Sequence, residues 1–79
     1  MVMDQNQLNW LYSRFQTRGL EANVHVSLAR NDNDWMYVPV YIALQDSYYK
    51  AEILQEIEEE WEEQQITRGK HLLLMPAAN

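Results

Sequence analysis

The positions of the apolar residues predict two helices, because in two stretches they recur every three or four residues. The first stripe consists of Leu8, Leu11, Tyr12 and Phe15. It follows Asp4, and Gln7 three residues later completes a capping-box pattern, which predicts the start of a helix. The second stripe consists of Ile53, Leu54, Ile57 and Trp61. Asp46 or Ser47 is the predicted cap of this second helix, which runs to about residue 65.

Alternation of apolar and polar residues predicts two strands that pair as a hairpin. Residues 21–30 place Ala22, Val24, Val26 and Leu28 on one face and Asn23, His25, Ser27 and Ala29 on the other. Residues 35–44 have aliphatic side chains at the even positions and several aromatic ones at the odd positions. The Asn/Asp run 31–34 predicts the turn between them. Pro39 cannot donate to a ladder, so we expect its strand to lie at an edge or to bulge there.

A third strand is predicted over residues 70–75, where a run of apolar residues suits a strand covered on both faces. A right-handed crossover through the second helix returns this strand to the sheet. We therefore expect an α+β fold, a two-layer α-β-β-α-β sandwich. Its three-stranded, mainly antiparallel sheet has the order 2-1-3, with both helices on one face. Residues 1–79 form a single domain, with 1–3 and 76–79 as flexible tails.

One face of such a sheet has no helix to cover it. Alternation places His25, Trp35, Tyr37 and Tyr41 on that face. Contiguous apolar patches mark interaction sites, and tyrosine and tryptophan bury a large area while keeping a polar group. The leading interpretation is a homodimer, since symmetric dimers are the commonest assemblies and would add buried area to a short chain. Two alternatives stay open: the face binds another partner, or the aromatic residues simply favour strands.

The net charge of −6 is concentrated on the second predicted helix. Seven glutamates and no cation lie between residues 51 and 67, whereas the other residues carry six cations and five acids. On a helical wheel one stripe comprises Glu52, Glu56, Glu59 and Glu63. Three interpretations remain: a solvated face, a docking surface for a basic protein, or a divalent-ion site. In the second, the protein is an inhibitor or a nucleic-acid mimic that occupies a basic site.

Catalytic signatures are missing from the sequence. The chain has no cysteine, which excludes disulfides and thiolate zinc sites. Its only glycines, Gly19 and Gly69, follow the predicted helices, so no phosphate-binding loop is present. We expect no enzymatic activity, no cofactor and no metal in a single chain. A ligand site or active site near His25 and His71, shared across a dimer, is a further alternative.

Charge and composition also limit the partners. The six cations are scattered, so direct nucleic-acid binding is not expected, although aromatic side chains on an open sheet could stack bases. No segment approaches the roughly 20 apolar residues of a membrane span, and the first residues do not resemble a signal peptide. The predicted protein is therefore a small, acidic, cytoplasmic interaction or regulatory protein.

Overall fold

The chain folds into two helices and a four-stranded sheet over residues 3–64 and 69–78, which are the residues that a computed structural model describes. The elements are α1 (Gln5–Gln16), β1 (Ala22–Val24), β2 (Arg30–Asp32), β3 (Trp35–Ile42), α2 (Ser47–Glu62) and β4 (His71–Pro76). The predicted α+β class is confirmed. The fourth strand arises because the first predicted strand is interrupted after β1, and β2 begins at its last residue and extends into the predicted turn 31–34. Only residues 33 and 34 form the turn, so the predicted turn is two residues too long.

Capping fixes the ends of α1 as the sequence predicts. The Gln7 N–H donates to Asp4 Oδ1 over 2.8 Å, and the Asp4 N–H donates to Gln7 Oε1 over 3.1 Å. After the helix, Gly19 takes the left-handed conformation with φ +69°, which glycine adopts without a steric penalty. Asp46 caps α2 by accepting from the Tyr49 N–H over 3.1 Å.

β3 is the central strand of the sheet, so the predicted strand order 2-1-3 is wrong. β1 and β2 pair antiparallel with successive halves of β3, and β4 pairs with it in parallel from Trp35↔His71 to Val40↔Pro76. The Pro39 carbonyl accepts from the His25 N–H, whereas the Val40 carbonyl accepts from the Ala77 N–H. Since neighbouring residues of a strand direct their carbonyls to opposite edges, β4 lies on the edge of β3 opposite β1.

A break in the neighbouring strand allows Pro39 to occupy this central position. The His25 N–H donates to the Pro39 carbonyl over 2.9 Å, but proline has no N–H with which to complete the pair. The chain leaves the ladder at this point as a 3₁₀ turn over Val26–Leu28 and pairs again from Arg30 onward. The prediction of an edge or a bulge at Pro39 is therefore half correct, because the irregularity lies in the partner strand.

The 3₁₀ turn also reverses the alternation predicted for residues 21–30. Val24 is buried as expected, but after the turn Ala29 is buried and Leu28 is 62% exposed. A helical turn advances the chain by three residues per turn instead of alternating its side chains, so the two-residue period ends there. Because the apolar pattern of the sequence continues through the turn, it gives no sign of the break.

The core lies between the sheet and both helices. It contains the whole predicted stripe of α2 and the even residues of β3, together with Met3, Leu11, Phe15, Val24, Ala29, Leu72 and Leu74. Trp61 is fully buried, meets the Trp10 ring edge-on at 5.5 Å and donates its indole N–H to the Lys70 carbonyl over 3.0 Å. One tryptophan of α2 thus connects α1, the core and the start of β4.

The predicted tails are shorter than expected. Met3 is fully buried in the core, and Pro76 is the last residue of β4. The next residue, Ala77, still donates its N–H to the Val40 carbonyl. The predicted end of the second helix near residue 65 falls outside the described residues, as do residues 1, 2 and 79 of the tails; α2 itself ends at Glu62.

Candidate interaction surface

The face of the sheet opposite the helices carries a contiguous group of large side chains. We call it the open face and define it by Arg30 and Asp32 of β2, Trp35, Tyr37, Pro39 and Tyr41 of β3, and His71, Leu73 and Met75 of β4. The strand register places Trp35 beside His71 and Tyr37 beside Leu73. Three of the four contact residues predicted from the sequence therefore form one row along the central strand.

Two contacts hold the aromatic rings against the sheet. The Trp35 ring is tilted by 39° against the His71 imidazole, with 5.0 Å between the ring centroids. The Arg30 guanidinium lies 5.9 Å from the centre of the Tyr37 ring, within the range of a cation–π interaction. Trp35 is nevertheless 43% exposed, and its neighbour on β4, Leu73, is 37% exposed. The open face is thus mainly apolar along β3, with two large side chains available for contact.

The two histidines are not brought together within one chain. β3 separates His25, which follows β1, from His71 of β4, so the premise that their strands are neighbours is wrong. The His25 side chain is half-buried, and its Nε2 has no hydrogen-bond partner within the described part of the chain. His71 Nδ1 lies 2.8 Å from Glu62 Oε1. Among residues 3–64 and 69–78, no group of three or more histidine or carboxylate side chains could hold a metal ion.

The two layers of the fold differ in charge. On the open face, Arg30 and Asp32 provide one charge of each sign close to the Trp35–Tyr37 row. On the opposite layer, α2 and its C-cap carry all seven glutamates of the acidic run. The predicted stripe of Glu52, Glu56, Glu59 and Glu63 is exposed throughout. The excess negative charge consequently lies on the helical layer and leaves the open face close to neutral.

Arg18 neutralises part of the acidic helix. Its Nη2 lies 3.3 Å from Glu56 Oε1 and 3.0 Å from Glu60 Oε2, while Nη1 donates to the Arg14 carbonyl near the end of α1. Burial lowers the pKa of Arg18, but the hydrogen bonds and charges of the two glutamates outweigh it, so the pKa lies above its ordinary value. This bridge joins the two helices and occupies Glu56, one member of the predicted acidic stripe.

Glu58 has a separate role at the sheet edge. Its Oε2 accepts the Leu74 N–H over 2.8 Å, on the side of β4 that faces away from β3. Burial raises the pKa of the Glu58 carboxyl, and the hydrogen bond from Leu74 partly offsets that effect. A carboxylate bound to an edge N–H prevents that group from pairing with another strand.

Sequence reasoning left one contributor to these surfaces undecided and missed two others. The run 72–74 is leucine throughout, so alternation alone did not decide which leucine faces outward. The structure buries Leu72 and Leu74 and exposes Leu73. Arg30 and Glu58 reach their partners only through strand pairing and helix packing, so no local pattern singles them out.

Comparison with protein-family models, curated proteins and solved structures finds no match. No helix within the described ranges is both long and apolar enough to cross a membrane.

Proposed function

We propose that this protein is a small, non-enzymatic interaction or regulatory protein of the cytoplasm that forms a homodimer through the open face. The observation that carries the proposal is the exposed row of Trp35 and Leu73 beside Tyr37 on an uncovered sheet. Aromatic side chains in a contiguous apolar patch are typical of the centres of interfaces.

Charge favours a second copy of the chain as the occupant. In a two-fold dimer the same patch meets itself, so Arg30 of one copy can approach Asp32 of the other. The helix α2 packs on the opposite layer, and of its glutamates Glu62 reaches the rim of the open face, where its Oε1 lies 2.8 Å from His71 Nδ1. Repulsion between the two acidic helices is then weakened by distance and by salt. A short chain also benefits from the extra buried area, because its own core is small.

The test is the molar mass in solution, measured by light scattering during size exclusion over a dilution series. We expect twice the mass of one chain, falling to one chain for Tyr41→Glu, because an unpaired charge buried in an apolar interface is strongly unfavourable. Tyr48→Glu is the matched control, since Tyr48 lies at the start of α2, is 75% exposed and is not part of the open face. Tyr48→Glu should keep the mass of the parent. The proposal is wrong if Tyr41→Glu also keeps it or if the parent is a monomer throughout.

A basic protein that docks on α2 is the second candidate. It is favoured because Glu52, Glu59 and Glu63 are exposed and make no ion pair within the described ranges. This candidate predicts capture of the basic partner that weakens as salt concentration rises. Charge reversal at Glu59 and Glu63 should weaken it further, whereas Tyr41→Glu should leave it unchanged. Binding that is insensitive to both salt and charge reversal would contradict it.

A further inference from the structure

The outer edge of β4 is hydrogen-bonded at two positions and unpaired between them. Odd-numbered residues of this strand direct their N–H groups to β3, as the bond from His71 to the Asp34 carbonyl shows. The N–H and carbonyl groups of the even-numbered residues therefore point outward, away from β3. The outward Lys70 carbonyl is occupied by the Trp61 indole, and the outward Leu74 N–H is occupied by Glu58.

Leu72 lies between these two positions. Its N–H and carbonyl point outward, and neither has a hydrogen-bond partner in the described part of the chain. Pro76, the next outward residue after Leu74, has no N–H to offer. An extended segment that adds to this edge is thereby restricted to a short window centred on Leu72.

The window at Leu72 is the floor of an open groove of about 300 Å³ between α2 and the edge of the sheet. The two sides of the groove differ in chemistry. The helix side consists of Gln55, Glu58, Glu59 and Glu62, and the sheet side consists of Trp35 and Leu73. One side is therefore acidic, and the other is formed by the two exposed apolar side chains of the open face.

We propose that this groove binds an extended segment of a partner protein in which basic and apolar residues alternate. A segment that pairs with Leu72 directs successive side chains to opposite sides of the strand plane. Lysine or arginine side chains then meet Glu59 and Glu62, and the apolar side chains between them meet Trp35 and Leu73. Charge complementarity selects the basic residues, and the pairing with the backbone selects the extended conformation.

This inference goes beyond the homodimer, although Trp35 and Leu73 border both surfaces. The variants that test the groove are therefore changes on α2, which leave the row along β3 intact. The molar mass of each sample is measured alongside peptide binding. Loss of peptide binding without a change in molar mass is then distinguishable from loss of the dimer without a change in peptide binding.

The probe is a short fluorescein-labelled peptide that alternates lysine with valine. A second peptide of the same composition, with its lysines grouped at one end, has the same charge and the wrong periodicity. We expect the alternating peptide to bind more tightly, as measured by fluorescence anisotropy. We also expect hydrogen exchange of the Leu72 amide to slow when the alternating peptide is bound, because pairing occupies that N–H. Equal binding of the two peptides, no binding, or an unchanged Leu72 amide would each overturn the proposal.

A matched pair of variants locates the contact on the helix. Glu59→Gln removes a carboxylate that lines the groove and should weaken binding by up to about fivefold, the upper limit for one exposed ion pair. Glu63→Gln removes an exposed carboxylate at the end of the same helix that does not line the groove, and it should leave the affinity almost unchanged. An equal loss of affinity in both variants would show attraction to the overall charge of the helix and would contradict binding in the groove.

Discussion

The two faces of β3 are both apolar in sequence, but only one of them is buried. The even residues Met36, Val38, Val40 and Ile42 are at most 2% exposed. The odd residue Trp35 is 43% exposed, and Tyr37 and Tyr41 are only half-buried. A strand that faces water on one side usually has polar residues there, whereas this strand is apolar on both sides. The comparison teaches that the helices, and not hydrophobicity alone, decide which face becomes the core.

The largest expected difference in stability is between substitutions of two tryptophans, Trp61 of α2 in the core and Trp35 of β3 on the open face. Trp61→Ala removes a fully buried ring and its bond to the Lys70 carbonyl, and it should lower the free energy of unfolding by about 3–5 kcal/mol. Trp35→Ala should cost less than about 1 kcal/mol in dilute protein, because the site is solvated. Urea denaturation followed by circular dichroism measures both. Equal losses would mean that the open face is part of the folding core.

Two adjacent leucines on β4 sharpen the same contrast. Leu74 is 4% exposed and Leu73 is 37% exposed. Leu74→Ala should lower the free energy of unfolding by about 2–4 kcal/mol through the lost burial and the cavity left behind. Leu73→Ala should change the stability of the monomer little and should weaken self-association instead. Denaturation and molar mass, measured on the same samples, separate the two effects. If neither variant weakens the dimer, the result would argue against dimerisation through the open face.

A smaller effect is expected from the arginines of the two layers. Arg18→Met removes the bridge to Glu56 and Glu60 and should lower the free energy of unfolding by about 1 kcal/mol or less, an effect that shrinks at high salt. Arg30→Met, on the open face, removes the contact with Tyr37 and should cost about 0.5 kcal/mol. Thermal melts at low and high salt measure both. A salt-independent loss for Arg18→Met would show that its aliphatic part, not its charge, stabilises the fold.

The smallest expected effect concerns pH at Glu58. Its pKa is raised above 4.5 in the folded protein, so the folded state binds the proton more tightly than the unfolded state. The ionised group therefore makes the folded state less stable than a neutral one would above the raised pKa, and that penalty disappears as pH falls toward 4.5. Glu58→Gln keeps an acceptor for the Leu74 N–H without the charge. Its stability relative to the parent should be greatest near neutral pH and should decline on acidification; a difference that is constant with pH would contradict this.

The helices were predictable because their signals are local. A capping box involves residues three positions apart, and an apolar stripe repeats within one or two turns. The buried residues of α2, Ile53, Leu54, Ile57 and Trp61, are the predicted stripe without change. The contacts of the helices, such as Trp10 on Trp61, join distant parts of the chain and have no local signal.

The sheet was predictable in class and in the parity of β3, but its order was not. Pro39 argues against a central position, because a proline there leaves an unpaired neighbour. The chain satisfies this constraint by turning away after His25, a solution that requires both strands to be in place. The outward position of Leu73 likewise depends on the register with Tyr37, which three consecutive leucines do not specify.

The sequence by itself determined the caps and apolar stripes of α1 and α2, the α+β class, the aromatic row of β3 and the glutamates of α2. Tertiary structure alone decided that β3 is central, that β4 presents Leu73 and the Leu72 edge, and that Glu58 blocks Leu74. The physical reason is range: caps and periodicity depend on residues within a few positions, whereas strand order and edge contacts depend on groups brought together from distant positions.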